Sequence, residues 1–148
     1  MRLAIEVALQ AGQRGEIPVG AVIVKNGEVI AVGSNRREEK KSAISHAEIE
    51  AIEKANRRLG DWRLDGCEMY VTLEPCTMCA GAIINSRIEK VYIGTMDEKT
   101  GAVGSVLNLF EDYTFNHKVE SETGILKFEC EDILKSFFKK LRRIKKGE

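Results

Sequence analysis

His46, Cys76 and Cys79 bring together one imidazole and two thiols in a chain whose other histidine and cysteines are His117, Cys67 and Cys130, and Glu48 adds a carboxylate two residues beyond the first histidine. Imidazole nitrogen and thiolate sulfur are the donors zinc takes in tetrahedral sites. Structural zinc sites generally use four protein ligands, whereas catalytic ones use three and leave a position for water. No second Cys-x-x-Cys and no His-x-x-x-His completes a closed site here. Three donors therefore predict a catalytic centre, in which zinc lowers the pKa of a water from about 15.7 toward about 7. Glu48 is spaced to stand beside the metal without ligating it, where a carboxylate can move protons. Read one at a time, these residues are a histidine at a helix start, a glutamate in a first turn and a redox dithiol. Read as H-x-E followed by P-C-x-x-C, they point to one site.

Such a site needs elements to hold it. Cys76 and Cys79 are three apart, so they share a helix face, and they fall in the first turn after Pro75. Free N–H groups and the helix dipole favour thiolate there. That helix is predicted over 76–86, with small residues Ala80, Gly81 and Ala82 suited to close packing. Ser45 is a candidate N-cap for a helix reaching Leu59, with Ile49, Ile52, Ala55 and Leu59 as its buried stripe and Gly60 as its stop. Leu3, Ala4, Val7, Ala8 and Ala11 predict an opening helix that ends near Gly12 or Gly15. Strands are predicted over 18–24, 29–33, 68–73 and 90–94, with a weaker fifth over 118–122. Asn26-Gly27 supplies the positive φ angles of a tight hairpin between the first two. Residues 36–41 read as a charged loop, 102–110 as a short helix, and Ile133, Leu134, Phe137, Phe138 and Leu141 as an amphipathic helix from Cys130. Helices alternating with strands predict an α/β layered domain with a mixed sheet.

The 148 residues suit one domain with its own core, expected to span 1–148. Hydrophobic residues are 43% and charged residues 31%, an ordinary globular balance, and no apolar run approaches a membrane span. The N-terminus reads as a helix rather than a signal peptide, so a cytoplasmic location is expected. Cys67 and Cys130 stand alone and are expected as small buried hydrophobes. Lysines and arginines number 23, as do aspartates and glutamates, so whole-chain charge does not mark a nucleic-acid binder. Basic residues do concentrate between Lys139 and Lys146. They suit either a solvated helix end or a phosphate-binding patch.

H-x-E…P-C-x-x-C is the signature of zinc nucleobase deaminases. The likeness narrows with Ile17-Pro18-Val19-Gly20-Ala21-Val22, His46-Ala47-Glu48-Ile49, the stretch Tyr70-Val71-Thr72-Leu73-Glu74-Pro75-Cys76-Thr77-Met78-Cys79-Ala80-Gly81-Ala82-Ile83, and Ser86-Arg87-Ile88. Asp97-Glu98-Lys99-Thr100-Gly101-Ala102, Gly104-Ser105 and Asn116-His117 narrow it further. Over nearly its whole length the chain resembles the bacterial tRNA-specific adenosine deaminases. That resemblance implies a three-layer α/β/α cytidine-deaminase-like fold around a mixed five-stranded sheet. It implies one zinc ion per subunit on His46, Cys76 and Cys79, and Glu48 as the catalytic proton carrier. It also implies substrate contacts from Asn35, the backbone at Ala47, Asp97, Asn116 and His117. The reaction implied is adenosine to inosine at the wobble position of a tRNA anticodon loop, in a homodimer whose sites form partly at the subunit interface. Taken without the resemblance, Asn35 is a turn residue after a strand, Asp97 and Asn116 are loop residues, and His117 is a solvent-facing loop histidine. The segment 36–43 departs from the family pattern in its density of charge.

Three other functions share parts of this signature. A deaminase of free guanine or cytosine needs the zinc site but neither Asp97, Asn116 nor the basic tail. A non-catalytic zinc-stabilised RNA-binding module has no use for Glu48. A Cys-x-x-Cys thiol oxidoreductase has no use for His46 or Glu48.

Overall fold

The computed structural model describes residues 1–147. Helix α1 (Arg2–Gln13) leads into the hairpin β1 (Gly20–Lys25) and β2 (Glu28–Ser34), then α2 (Arg37–Lys40) and α3 (Ala47–Leu59). β3 (Cys67–Leu73), α4 (Thr77–Asn85) and β4 (Lys90–Thr95) follow, and the chain ends in β5 (Glu120–Thr123) and α5 (Lys127–Lys145). Asn26 and Gly27 hold positive φ angles of 52° and 76°, as the Asn-Gly hairpin predicts. The five strands form one sheet in the order β2-β1-β3-β4-β5. β1 runs antiparallel to both neighbours, and β3, β4 and β5 are parallel. No described helix is long and apolar enough to cross a membrane.

Strand alternation fixes which helices share a face. A Cβ on Gly20 would meet α1 at Ala4 and Ala8, and a Cβ on Gly33 would meet α3 at Ala47 and Ala51. Gly20 pairs with Ser34, the residue after Gly33, so these two contacts lie on opposite faces. Across the sheet, Ala21, Val71 and Ile93 are in register on the Gly33 face, where they join α3 and α4 in the core. Gly94 therefore points the other way, and a Cβ there would strike Cys130 of α5. The layers are thus α1 and α5, the sheet, then α3 and α4, which is the expected α/β/α fold with a mixed five-stranded sheet. Cys67 and Cys130 are both buried small residues.

Some local expectations give way to tertiary contacts. Residues 37–40 make a helical turn rather than a plain charged loop. The buried Glu16 carboxylate accepts the backbone N–H groups of Glu38 and Glu39 at 3.0 and 2.8 Å, capping that turn from a distant segment. Residues 102–110 form no helix. Ala102 and Pro75 are joined by a backbone bond, Val103 bridges Asn108, and the amides of Val103 and Ser105 go to the Glu74 carboxylate instead of to helical carbonyls. The N-cap of α3 is His46 rather than Ser45, α4 begins at Thr77 with Cys76 as its N-cap, and α5 begins three residues before Cys130.

Gly33 sets how closely α3 approaches the sheet, because its absent side chain is replaced by helix backbone 2.4–2.5 Å from the ideal Cβ position. Backbone cannot swing aside as a side chain can. Gly33→Ala is expected to lower unfolding stability by about 1–3 kcal/mol through overpacking, measured by urea denaturation. A variant as stable as the wild type would show that α3 can move freely.

Candidate active site

The candidate ligand residues sit where two helices begin. His46 and Cys76 are the N-caps of α3 and α4, both with extended backbone, and Cys79 lies in the first turn of α4. The two helices pack side by side on one face of the sheet, which brings their positive ends together. The His46 Nδ1 atom is 3.6 Å from Cys76 Sγ and 3.6 Å from Cys79 Sγ. All three donor atoms lie within 4.8 Å of one another. Zinc with Zn–N of about 2.0–2.1 Å and Zn–S of about 2.3 Å at a tetrahedral angle requires an N···S separation of about 3.6 Å. The donor set therefore fits a tetrahedral ion by chemistry and by spacing.

Charge in the cluster is unevenly held. The Cys79 thiol donates to Cys76, and with His46 beside it the Cys76 thiol is pulled down to about 4. Cys79, as the donor, is pushed up, with burial and Glu48 adding to the shift. His46 is raised, chiefly by its contact with Cys76. Burial pushes Glu48, only 4% exposed, up to about 7. Its carboxyl reaches the Cys79 thiol.

These groups line a cavity of about 1100 Å³ at the sheet edge where β2, β3 and β4 end and β1 begins. Of the residues singled out in the sequence, Asn35, Ala47, Glu48 and Asp97 line it, as do His46 and Cys76. Asn35 also makes the turn that its position suggests: its Oδ1 accepts the Arg37 N–H at 3.1 Å and its Nδ2 donates to the Ile17 carbonyl at 3.4 Å. Asp97 closes its own loop by accepting from the Lys99 and Thr100 amides and the Thr100 hydroxyl. Asn116 and His117 do not line the cavity. Asn116 is exposed, while the half-buried His117 ring lies 2.7 Å from the Ile88 carbonyl and ties its loop to the body of the fold.

Several lining residues were not singled out as site residues in the sequence, where Leu134 and Phe138 stood only on an apolar helix face and Arg142 only within the basic stretch Lys139 to Lys146. Arg37 lines the cavity from α2, and Leu134, Phe138 and Arg142 do so from α5. A trace of the α5 contribution is visible in sequence. Ile133, Leu134, Phe137, Phe138 and Leu141 cover two adjacent helix faces, more than packing on the sheet uses. Of the basic tail from Lys139 onward, Arg142 alone is among the lining residues.

The thiolate character of Cys76 gives a direct test. In metal-free protein at pH 6, above its value of about 4, Cys76 is mostly thiolate and partly accessible, whereas Cys79, Cys67 and Cys130 are raised and buried. Iodoacetamide with peptide mass spectrometry is expected to label Cys76 first. Bound zinc is expected to protect it. Equal labelling of all four cysteines would contradict the charge distribution described here.

The sequence and the fold have close counterparts. The chain matches the MafB19-like deaminase family over residues 1–142. It is 49% identical over 147 residues to the tRNA-specific adenosine deaminase of Bacillus subtilis, covering 99% of this chain and 91% of that one. The protein of the same description from Aquifex aeolicus is 49% identical over 142 residues, covering 96% and 93%. A solved structure from work on A-to-I editing by tRNA:A34 deaminases superimposes with a TM-score of 0.88 at 46% identity, covering 90% of this chain and 97% of that one. The chain belongs to the MafB19-like deaminase family and to the family of the tRNA-specific adenosine deaminases.

Proposed function

We propose that the protein hydrolyses the exocyclic amine of the wobble adenosine, position 34 of a tRNA, giving inosine and ammonia with one water consumed. The observation that carries this reading is the His46, Cys76 and Cys79 triad, spaced for one tetrahedral ion, with the buried carboxyl of Glu48 beside it at the floor of an open cavity. One zinc ion per subunit is the metal this donor set suits, and at such a centre zinc supplies water acidified to near neutrality. With the ion bound, Glu48 would be placed to accept a proton from water and deliver it to the ring nitrogen next to C6, and then to pass the proton of the hydroxyl added at C6 to the departing amine, so that one water supplies both protons. Burial raises this carboxyl in the metal-free protein, and a bound cation beside it would favour the carboxylate, the form that accepts a proton. The backbone at Ala47 and the side chain of Asn35 orient the base.

A base must leave its stack to enter such a cavity, and this costs less in a loop than in a duplex. Arg37, Lys99, Lys127 and Arg142 line the cavity from three parts of the chain beside the acidic Asp97, Glu98 and Glu131, and with none of the four in an ion pair among the described residues they are the groups that meet phosphates. Asp97 contacts the target nucleotide at the mouth, while Asn116 and His117, outside the cavity, meet flanking nucleotides or the partner subunit. The working form is a homodimer. The open side of α4 supports this, since nothing lies within 4 Å of where a Gly81 side chain would stand. The enzyme acts in the cytoplasm, where tRNA is.

Incubation with tRNA followed by sequencing-based detection of inosine is expected to find it at position 34. Free guanine, cytosine and adenosine are expected to be poor substrates, and the reverse preference would assign the site to free bases. Glu48→Gln is expected to keep stoichiometric metal and lose about 10²–10⁴-fold in kcat; a variant of full activity would remove Glu48 from the proton path. Arg142→Ala is expected to weaken tRNA binding and reduce the slope of log K against log salt by about one. The same change at Lys146 is expected to have less effect, and equal effects would return Arg142 to an ordinary surface role.

A further inference from the structure

We infer that Glu74 is a positioning residue that fixes the substrate-facing wall, residues 97–105, to the metal-ligating turn. Glu74 directly follows β3 and stands two residues before Cys76. Its side chain is buried and belongs to the cavity lining. One carboxylate oxygen accepts the Asp97 N–H at 2.9 Å and the Ser105 hydroxyl at 2.5 Å. The other accepts the N–H groups of Val103 at 2.9 Å and Ser105 at 3.1 Å. Both ends of the wall are therefore held by a single side chain. Gly101, between them, lies so close that a Cβ there would come within 2.2 Å of the carboxylate.

A carboxylate is the side chain for this task because it accepts at both oxygens and donates at neither. No described ion pair involves Glu74, so its burial is offset by these four hydrogen bonds. The wall has no helix or strand of its own to shape it. Its further tie, Ala102 N–H to the Pro75 carbonyl at 2.8 Å, lands on the same turn. The wall is thus registered to the residues around Cys76 and not to α3, which carries Glu48.

The consequence for catalysis follows from what the wall carries. Asp97, Glu98, Lys99 and Thr100 line the cavity, and none is a candidate metal ligand or proton carrier. Loosening the wall removes grip on bound RNA and leaves the reacting centre intact. Loss of an interaction made equally in the ground state and the transition state raises KM and spares kcat.

Glu74→Gln tests this, because the amide has one acceptor oxygen and places N–H donors against the N–H groups at the other. In free protein, amide hydrogen–deuterium exchange is expected to speed up across 97–105 and stay unchanged in α3 and α4, with zinc content unaltered. On an anticodon stem-loop RNA, KM is expected to rise about tenfold with kcat within about threefold of wild type. Unchanged exchange in 97–105 would overturn the clamp. Faster exchange with an unchanged KM, or a loss confined to kcat, would overturn its role in gripping substrate. If Glu74→Gln does not fold, Ser105→Ala removes the hydroxyl donor alone and is expected to move exchange and KM in the same direction by a smaller factor, with no change in either counting against the proposal. The substrate arm rests on the deaminase reading. Wild-type protein inert toward the stem-loop would defeat that reading, while the exchange measurement still decides the clamp.

Discussion

The convergence of two helix N-termini is the constraint from which the rest of this molecule follows. His46 and Cys76 cap α3 and α4, and the imidazole Nδ1 sits 3.6 Å from each of two sulfurs. Bringing thiols, a histidine and a buried glutamate into one cluster is costly unless something favours their charged forms. The two helix dipoles and the unpaired N–H groups of the first turns do so for thiolate and carboxylate. A divalent ion would complete the compensation, and the three donors within 4.8 Å of one another fit one. The same thiolate character at Cys76 would serve redox chemistry, yet that use would leave His46 and Glu48 without a part.

Holding those N-termini in place requires backbone contact that ordinary side chains would block. Gly33 lets α3 rest its first turn against β2, and Gly20 does the same for α1 on β1 from the other side. His46 and Glu48 flank Ala47, one of the residues that Gly33 admits, so the height of the reacting groups above the sheet depends on a missing methyl group.

Buried glutamates then organise the parts of the site that lack regular structure. Glu16 caps the turn at Arg37–Lys40, and Glu50 binds Lys40 at 2.8 Å from α3, so the charged segment before His46 is tied at two points. Glu74 does the equivalent for 97–105. All three carboxylates are nearly fully buried. Acceptor-only side chains suit irregular backbone, whose N–H groups have no ladder to join. Glu48 differs in tying down no other segment among the described hydrogen bonds and ion pairs, and its burial raises it toward neutrality. One residue type therefore serves as scaffold at three positions and, in the proposed mechanism, as proton carrier at the fourth.

Residue chemistry and short-range spacing were enough to read the Cys76-Cys79 pair on one helix face, the Asn-Gly hairpin, the helix ending at Gly60 and the α/β order, because each depends on neighbours a few positions apart, whereas His46 meets that pair from 30 and 33 residues away. The burial of Cys67 and Cys130 was likewise legible from their type. Long-range contacts decided what local pattern could not. The segment 102–110 has the apolar content of a helix but gives its amides to Glu74, 29 and 31 residues away from Val103 and Ser105. Residues 37–40 look like solvated charge but are capped by Glu16, 22 and 23 residues distant. His117 joins the Ile88 carbonyl rather than the cavity, and Arg142 alone of the basic tail reaches the cavity lining, as helix phase against the sheet dictates. Sequence by itself determined which chemistry is present, since that resides in side-chain types. Tertiary structure decided which groups face one another across the cavity, since that depends on hydrogen bonds between segments that no local pattern connects.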